Sequence, residues 1–224
     1  MTRRAGMRSI LGVIPARGGS KGVPRKNICL VAGKPLLLWT VEAAQKARLL
    51  GRWVVSTEDP EISEIACRHG AEVLARPPEL ATDEASTVSV LQHALEQIGA
   101  KVVVVLAPTS PIRKDGLVDA CIAKFFAEGA DSLGTVHKDY SYEYGQDMPR
   151  RQDIRPRLVD NGNVYVIRAE VIRAGRWLGD RLAVLETTRE EGVEIDDEID
   201  HWLAEQILIR WHSISSGAIS RFTG

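Results

Sequence analysis

Short apolar runs alternate along this chain with segments whose apolar residues recur at helical spacing. The runs predict strands at residues 9–15, 53–57, 71–75, 101–106, 132–136, 164–167 and 182–185. The helical patterns lie at residues 35–47, 61–69, 86–98, 115–128 and 197–211. Alternation of this kind predicts right-handed βαβ units, and therefore an α/β fold with a doubly wound, mostly parallel sheet. Residues 101–106 are apolar on both faces, which indicates a central strand. We expect residues 1–224 to form one domain.

The alternation stops at residues 138–160, which are polar and rich in tyrosine and arginine, with no helical or strand period. We predict that this segment is an extended arm that closes over a site or reaches a partner subunit. The last helix is expected to bury one apolar stripe, formed by Ile199, Trp202, Leu203 and Ile207.

Composition describes an ordinary globular protein: 224 residues, 44% hydrophobic, with a formal net charge of −1. That charge gives no reason to expect a nucleic acid or a membrane as partner. Three isolated cysteines suit a reducing compartment. The basic and apolar N-terminus has the outline of a signal peptide, but its apolar part is short and contains Pro15. We read it as the first strand of a cytoplasmic protein.

Charge is distributed unevenly along the chain. Eight basic residues and no acidic residue precede Glu42, whereas residues 186–200 contain eight acids and one arginine. The two segments could meet in one site, the first binding phosphates and the second a divalent cation. They could equally be unrelated solvated surfaces.

The segment of greatest functional interest follows the first predicted strand. The loop reads Ala16-Arg-Gly-Gly-Ser-Lys-Gly-Val-Pro-Arg-Lys-Asn27 and combines three glycines with four cationic side chains. Glycine allows backbone amides to approach phosphate oxygens, and lysine and arginine neutralise the phosphate charge. The spacing matches neither the Walker A loop nor the G-x-G-x-x-G dinucleotide pattern. The loop therefore predicts a polyphosphate site outside both of those classes.

With that loop, five later motifs resemble those of the acylneuraminate cytidylyltransferases, the CMP-sialic acid synthetases and their relatives acting on other nonulosonic acids. The later motifs are Arg76-Pro-Pro-Glu-Leu-Ala-Thr-Asp83, Ala107-Pro-Thr-Ser-Pro-Ile-Arg113, Pro149-Arg-Arg-Gln152, Asn161-Gly-Asn-Val-Tyr165 and Glu194-Ile-Asp196. The resemblance runs in order from about residue 9 to residue 205. It implies a Rossmann-like nucleotidyltransferase fold that joins CTP to the anomeric hydroxyl of a free nonulosonic acid and releases pyrophosphate.

The resemblance also implies roles for individual residues. Arg17, Lys21 and Lys26 would contact the triphosphate, with Lys21 and Arg17 as the catalytic cations; Arg76, Ala85 and Thr87 would line the cytosine pocket. The full nucleotide-binding set is Ala16, Arg17, Gly18, Ser20, Lys21, Lys26, Asn27, Arg76, Ala85 and Thr87. The acceptor would be bound by Ala107, Pro108, Thr109, Ser110, Arg113, Arg151, Gln152 and Asn161.

Glu194 and Asp196 are two residues apart, so a strand would place both carboxylates on one face as ligands for Mg²⁺ or Mn²⁺. The family usually has aspartate at both positions, which leaves the metal role of Glu194 open. Asp196 is expected to be a catalytic metal ligand; its alternative role is the N-cap of the last helix.

Ala107 is a second departure, because sialic acid enzymes generally carry glutamine there to contact the sugar. An alanine cannot form that hydrogen bond, so the acceptor is expected to differ from N-acetylneuraminate. The family resemblance further implies a homodimer. The competing hypotheses are a nucleotidyltransferase for another sugar or sugar phosphate, and a catalytically silent nucleotide-binding module.

Overall fold

The computed structural model of the chain describes residues 9–20, 22–142, 145 and 149–215. Its strands are β1 (Ile10–Pro15), β2 (Leu30–Val31), β3 (Lys34–Pro35), β4 (Arg52–Thr57), β5 (Glu72–Ala75), β6 (Val102–Leu106), β7 (Ser132–Asp139), β8 (Arg157–Arg168) and β9 (Leu182–Glu186). Its α-helices are α1 (Leu36–Lys46), α2 (Pro60–Arg68), α3 (Thr87–Ile98), α4 (Leu117–Ala127), α5 (Ala169–Arg173) and α6 (Glu198–Ser215).

Within these described residues, seven strands form one sheet in the order β5-β4-β1-β6-β8-β7-β9. Strands β5, β4, β1 and β6 run parallel to one another, β8 runs antiparallel to both β6 and β7, and β9 runs parallel to β7. The predicted doubly wound, mostly parallel sheet is therefore confirmed. Ligands in such sheets bind beyond the carboxyl ends of the parallel strands, and these ends lie together at one edge here.

Helices cover both faces of the sheet, because alternate residues of each central strand point to opposite sides. Helices α1, α2 and α4 pack on the face that carries Ile14, Val104 and Leu106. Helices α3 and α5 pack on the opposite face, against Val13 and Val103. A smaller cluster joins α6 to Val31, Leu36, Ile112 and Ile195. This third cluster fixes the end of the chain beside the first loop.

The segment predicted to be an extended arm is partly β-structure at its two ends. Strands β7 and β8 include residues 138–139 and 157–160, which pair as an antiparallel hairpin with Asp139 opposite Arg157. Residues 157–160 are exposed, so backbone pairing holds them without a buried face. A strand with no buried face needs no alternation of apolar and polar residues, which explains why the pattern did not reveal it.

The predicted stripe of α6 was also largely wrong. Ile199 is 73% exposed, Trp202 is 60% exposed and Leu203 is exposed, while Ala204 and Leu208 form the buried side. The remaining member, Ile207, packs against the cluster as predicted. Apolar residues occur on both sides of this helix, and only the packing partner decides which side is buried.

The central position of β6 gives a test of the fold. Replacing the fully buried Leu106 by alanine leaves a cavity and should lower the free energy of unfolding by about 2–5 kcal/mol. The matched control is Leu182→Ala on the edge strand β9, where the side chain is 57% exposed, and it should cost less than about 1 kcal/mol. Urea denaturation measures both; equal losses would contradict the assignment of β6 to the core.

Candidate functional site

A cleft of about 560 Å³ opens at the carboxyl ends of β1, β4, β5 and β6. Most of the residues predicted from sequence to bind ligands line it: Arg17, Ser20, Lys26, Asn27, Arg76, Ala85, Thr87, Ala107, Pro108, Thr109, Glu194 and Asp196. These residues lie up to 179 positions apart in the sequence, from Arg17 to Asp196, and only the fold brings them together in one site.

Other predicted residues do not line the cleft. Ala16 and Ser110 are fully buried, and Asn161 is buried and bonded to Thr135 and Thr187. The backbone N–H of Gly18 is bonded to Glu58, Gln152 is exposed, and the Arg113 side chain is bonded to the backbone carbonyls of Ala107 and Asn163. Lys21, predicted to be catalytic, and the side chain of Arg151 lie outside the described residues.

The turn that follows β4 holds the outer side of the glycine-rich loop. The backbone N–H of Gly18 donates to Glu58 Oε1 at 2.7 Å. Asp59 caps α2 by accepting from two backbone N–H groups at 3.0 Å, and it also accepts a bidentate ion pair from Arg25. A side chain at position 18 would collide with Asp59. Gly18 is therefore required by a close approach, and Glu58 and Asp59 hold the loop at Gly18 and Arg25 in the free protein.

The inner side of the loop is held by the segment that carries Glu194 and Asp196. Lys26 Nζ donates to the Ile195 carbonyl at 2.6 Å and to Asp196 Oδ1 at 3.0 Å. Gly22 lies so close to the Asp196 carbonyl that no side chain could fit there. The basic N-terminal segment and the acidic C-terminal segment thus meet in one site, which decides between the two readings of the charge pattern.

The helix-cap alternative for Asp196 is wrong. Asp197 Oδ1 accepts from the backbone N–H groups of Ile199 and Asp200, at 2.8 and 2.9 Å, and so caps α6. Asp200 Oδ2 accepts in return from the N–H groups of Asp196 and Asp197. The N-terminus of the helix is satisfied by Asp197 and Asp200. The Asp196 side chain is consequently left on the cleft wall, 74% exposed, with Lys26 as its ion-pair partner.

Glu194 lies deeper in the same wall and accepts a hydrogen bond from Thr109 Oγ1 at 2.9 Å. Desolvation by the cleft walls raises the pKa of its carboxyl above the ordinary value; Asp196 and Asp160 raise it further, while Thr109 and Lys26 lower it. Gly162 faces this carboxylate, with a left-handed φ of 67°. Two neighbouring carboxylates that repel each other are a suitable donor set for a divalent cation.

Two arginines form the opposite wall. Arg76 is buried and donates to the Ser56 hydroxyl at 3.2 Å and to the Ser56 carbonyl at 2.7 Å. Burial lowers the pKa of Arg76, nearby Glu58 raises it and Arg17 lowers it. Arg17 is more exposed and pairs with Asp83 at 2.7 Å. Any anion that binds Arg17 must therefore compete with the Asp83 carboxylate.

Sequence reasoning missed several residues of the site. Asp83 and Tyr165 lay within quoted motifs but were given no role, whereas Trp177 had no motif to indicate it. Tyr165 pairs across the sheet with Val105, and its ring contacts the Trp177 ring at 4.8 Å in an edge-to-face arrangement. Together with Val90, these residues make one end of the cleft apolar and aromatic.

A family model described as cytidylyltransferase matches residues 11–154, which is more than half of the chain. The chain therefore belongs to the cytidylyltransferase family. The prediction made from the loop and its accompanying motifs is confirmed. Among the residues that the structure describes, no helix is both long enough and apolar enough to cross a membrane.

Individual relatives agree with the family. The chain is 42% identical over 213 residues to an N-acylneuraminate cytidylyltransferase of Escherichia coli O18:K1:H7, covering 87% of this chain and 51% of that protein. It is 32% identical over 227 residues to N-acylneuraminate cytidylyltransferase A of Danio rerio, covering 93% and 53%. The chain thus spans about half the length of these relatives.

Solved structures share the fold. A CMP:2-keto-3-deoxy-manno-octonic acid synthetase complexed with CTP superposes with a TM-score of 0.73 at 17% identity, covering 90% of this chain and 99% of that one. A 4-diphosphocytidyl-2C-methyl-D-erythritol synthase of Anaerococcus prevotii gives 0.66 at 15% identity, covering 90% and 98%. At these identities the likeness establishes the fold alone, and it confirms the Rossmann-like nucleotidyltransferase architecture.

The surroundings of Glu194 predict that its carboxyl group titrates at a higher pH than an ordinary glutamate. The midpoint followed by ¹³C NMR should lie above the ordinary value of about 4.3 for glutamate. Because the folded-state pKa is raised, this group stabilises the fold below the unfolded pKa, and that contribution is lost as pH rises through the folded pKa. Thr109→Val removes a hydrogen bond to the carboxylate and should move the midpoint further upward. A midpoint at or below the ordinary value would contradict the described geometry.

Proposed function

We propose that this protein transfers CMP from CTP to the anomeric hydroxyl of a nonulosonic acid and releases pyrophosphate. One observation carries the proposal: the cationic glycine-rich loop and the acidic Glu194–Asp196 segment face each other across a single cleft. The names of the relatives, N-acylneuraminate cytidylyltransferases, support the choice of both substrates.

The nucleotide would occupy the part of the cleft between the loop and β5. Arg17 and Lys26 supply positive charge for the triphosphate, and a ligand phosphate would replace Asp83 and Asp196 as their partners. Arg76, Ala85 and Thr87 line the adjoining wall, where cytosine would bind. Because Glu58 and Asp59 already hold the loop, little loop ordering is needed on binding.

The reaction is an in-line displacement at the α-phosphorus of CTP. The anomeric oxygen forms a bond to that phosphorus, the bond to the bridging α–β oxygen breaks, and pyrophosphate leaves with its electron pair. The hydroxyl proton is released. Positioning and neutralisation of charge on the phosphate oxygens account for most catalysis in such transfers. Arg17 and Lys26 both line the cleft, where they would neutralise that charge.

Glu194 and Asp196 would suit a Mg²⁺ or Mn²⁺ ion, because both place carboxylate oxygens on the cleft wall. When bound, the metal would supply Lewis-acid polarisation of phosphate oxygens. The fit is testable without activity, since added Mg²⁺ should lower the Glu194 midpoint. Asp196→Asn should abolish that response, and an unchanged midpoint in the native protein would reject the metal site.

The acceptor would lie at the apolar end of the cleft, near Ala107, Tyr165 and Trp177. Ala107 offers no side-chain hydrogen bond, and Val90 and Val105 add apolar surface. This lining favours a di-acylamido nonulosonic acid, in which a second acylamido group replaces a hydroxyl, over N-acetylneuraminate and over a deaminated acid, because an apolar wall leaves hydroxyl groups without partners.

A homodimer and a cytoplasmic location are further parts of the proposal. The hairpin arm and the adjacent edge strand expose apolar side chains: Tyr140, Tyr142, Leu158, Val159, Leu182 and Val184. Exposed apolar patches of this kind are typical of interaction surfaces. The three cysteines without disulfides suit a reducing compartment.

The deciding experiment measures pyrophosphate release from the four nucleoside triphosphates with a panel of nonulosonic acids and sugar phosphates. Release that requires CTP and a nonulosonic acid is the expected result. Release with another nucleotide or a sugar phosphate would establish the rival transferase. Binding of CTP with no release for any acceptor would indicate a silent binding module.

The contact between Gly18 and Asp59 predicts a paired effect on nucleotide affinity. Gly18→Ala should weaken CTP binding at least about tenfold, because Asp59 is held by Arg25 and the start of α2 and cannot move aside. Gly19→Ala, whose added carbon has no neighbour within 4 Å, should change the affinity less than about threefold. Isothermal titration calorimetry distinguishes these outcomes, and equal effects would count against the loop as the nucleotide site.

The size and polarity of the side chain at position 107 are predicted to influence which acceptor the enzyme prefers. Ala107→Gln should raise kcat/KM for N-acetylneuraminate relative to a di-acylamido acid by up to about tenfold, because the glutamine amide can add one hydrogen bond to the sugar. Ala107→Leu fills the space without an amide and should bring no such gain. A native enzyme that already prefers N-acetylneuraminate would overturn this assignment.

A further inference from the structure

Arg113 occupies a junction behind the acceptor end of the cleft. Its guanidinium donates to Thr40 Oγ1 on α1 at 2.6 Å, to the Ala107 carbonyl at 2.5 Å and to the Asn163 carbonyl at 2.8 Å. One side chain therefore joins a helix, the loop after β6 and the middle of β8. Each group that it touches belongs to the protein.

The charge on this guanidinium has no acidic partner among the residues that the structure describes. Burial lowers the pKa of Arg113 to about 9, so the group remains charged at neutral pH. Its charge is balanced only by hydroxyl and carbonyl oxygens. Hydrogen bonds to a charged donor are stronger than neutral ones, and leaving the two carbonyls unpaired would be costly.

Asn163 extends the junction toward the acidic wall. Its side-chain Nδ2 donates to the carbonyls of Ile112 and Glu191, both at 2.8 Å. Glu191 is itself buried and accepts from Lys114 and Thr188. The chain passes directly from this residue to Glu194. The same network thus reaches the segment that carries the candidate metal ligands.

Both carbonyls bound by Arg113 belong to cleft-forming segments. Ala107 lines the cleft together with the two residues that follow it, and Asn163 lies between the cleft residues Gly162 and Tyr165. Strand pairing places the two segments side by side, since Leu106 is opposite Val164. A change in the distance between the two carbonyls would alter the width of the acceptor end.

We propose that Arg113 is a positioning residue that sets the acceptor end of the cleft through the carbonyls of Ala107 and Asn163. This inference rests on the proposed function. It replaces the expectation from sequence that Arg113 binds the substrate directly.

Thr40 makes the proposal testable, because it is fully buried, does not line the cleft, and contacts both Arg113 and the Ala107 carbonyl. The variants are Arg113→Lys, Thr40→Val and the double variant. The matched control is Arg168→Lys, at the far end of β8, where Nε donates to the Ala130 carbonyl at 3.0 Å. Hydrogen exchange of the ligand-free proteins and steady-state kinetics are measured on all four.

Arg113→Lys and Thr40→Val should each speed amide exchange in residues 107–112 and 161–165 about tenfold. In the double variant the increase in exchange rate should be much smaller than the product of the two single increases, because both residues act through one network. Both should raise the acceptor KM about tenfold, with CTP affinity changed less than about twofold. Arg168→Lys should leave these segments and both constants unchanged.

Unchanged exchange in Arg113→Lys would overturn the proposal. The proposal would also be overturned if Thr40→Val left exchange and the acceptor KM unchanged while Arg113→Lys raised the acceptor KM strongly. That pattern would indicate that Arg113 contacts the substrate directly. If the native protein releases no pyrophosphate, the proposed function fails, but the exchange data still decide whether Arg113 positions these segments.

Discussion

The close contact between the glycine-rich loop and the Ile195–Asp196 backbone is the constraint on which the site depends. Gly22 lies against the Asp196 carbonyl, and Lys26 donates to the carbonyl of Ile195. Ile195 is itself buried in the cluster that holds α6. This packing brings cations from the start of the chain to carboxylates near its end. Without it, the loop and the acids would form two separate surfaces.

The charges of the cleft are arranged before any ligand is present. Arg17 pairs with Asp83, Lys26 pairs with Asp196, and Arg25 is held outside the cleft by Asp59. Each carboxylate keeps its cation in place in the free protein, and each could be replaced by phosphate oxygens. Groups that are already oriented need little reorganisation when a substrate binds, which is how enzymes obtain most of their electrostatic stabilisation.

The end of the cleft that is proposed to bind the acceptor is built by different physical means from the end that is proposed to bind the nucleotide. The loop is held by ion pairs and by close contacts at two glycines, whereas the acceptor end depends on neutral carbonyls that bind Arg113 and on the contact between Tyr165 and Trp177. The antiparallel insertion of β8 beside β6 creates this end, because it places Gly162 and Tyr165 next to the loop after Leu106. Strands β1, β4, β5 and β6 are parallel to one another and carry the end that is proposed to bind the nucleotide.

The sequence by itself determined the α/β alternation, the central strand, the glycine-rich loop and the family, because apolar periodicity and glycine–cation spacing are local properties of a chain. Only the tertiary structure decided which face of α6 is buried, that β7 and β8 include residues 138–139 and 157–160, and that Asp197 rather than Asp196 caps the last helix. It alone placed Trp177 in the cleft and Arg113 behind it. Each of these outcomes depends on which distant segment lies against a residue, and a pattern along the chain contains no information about that partner.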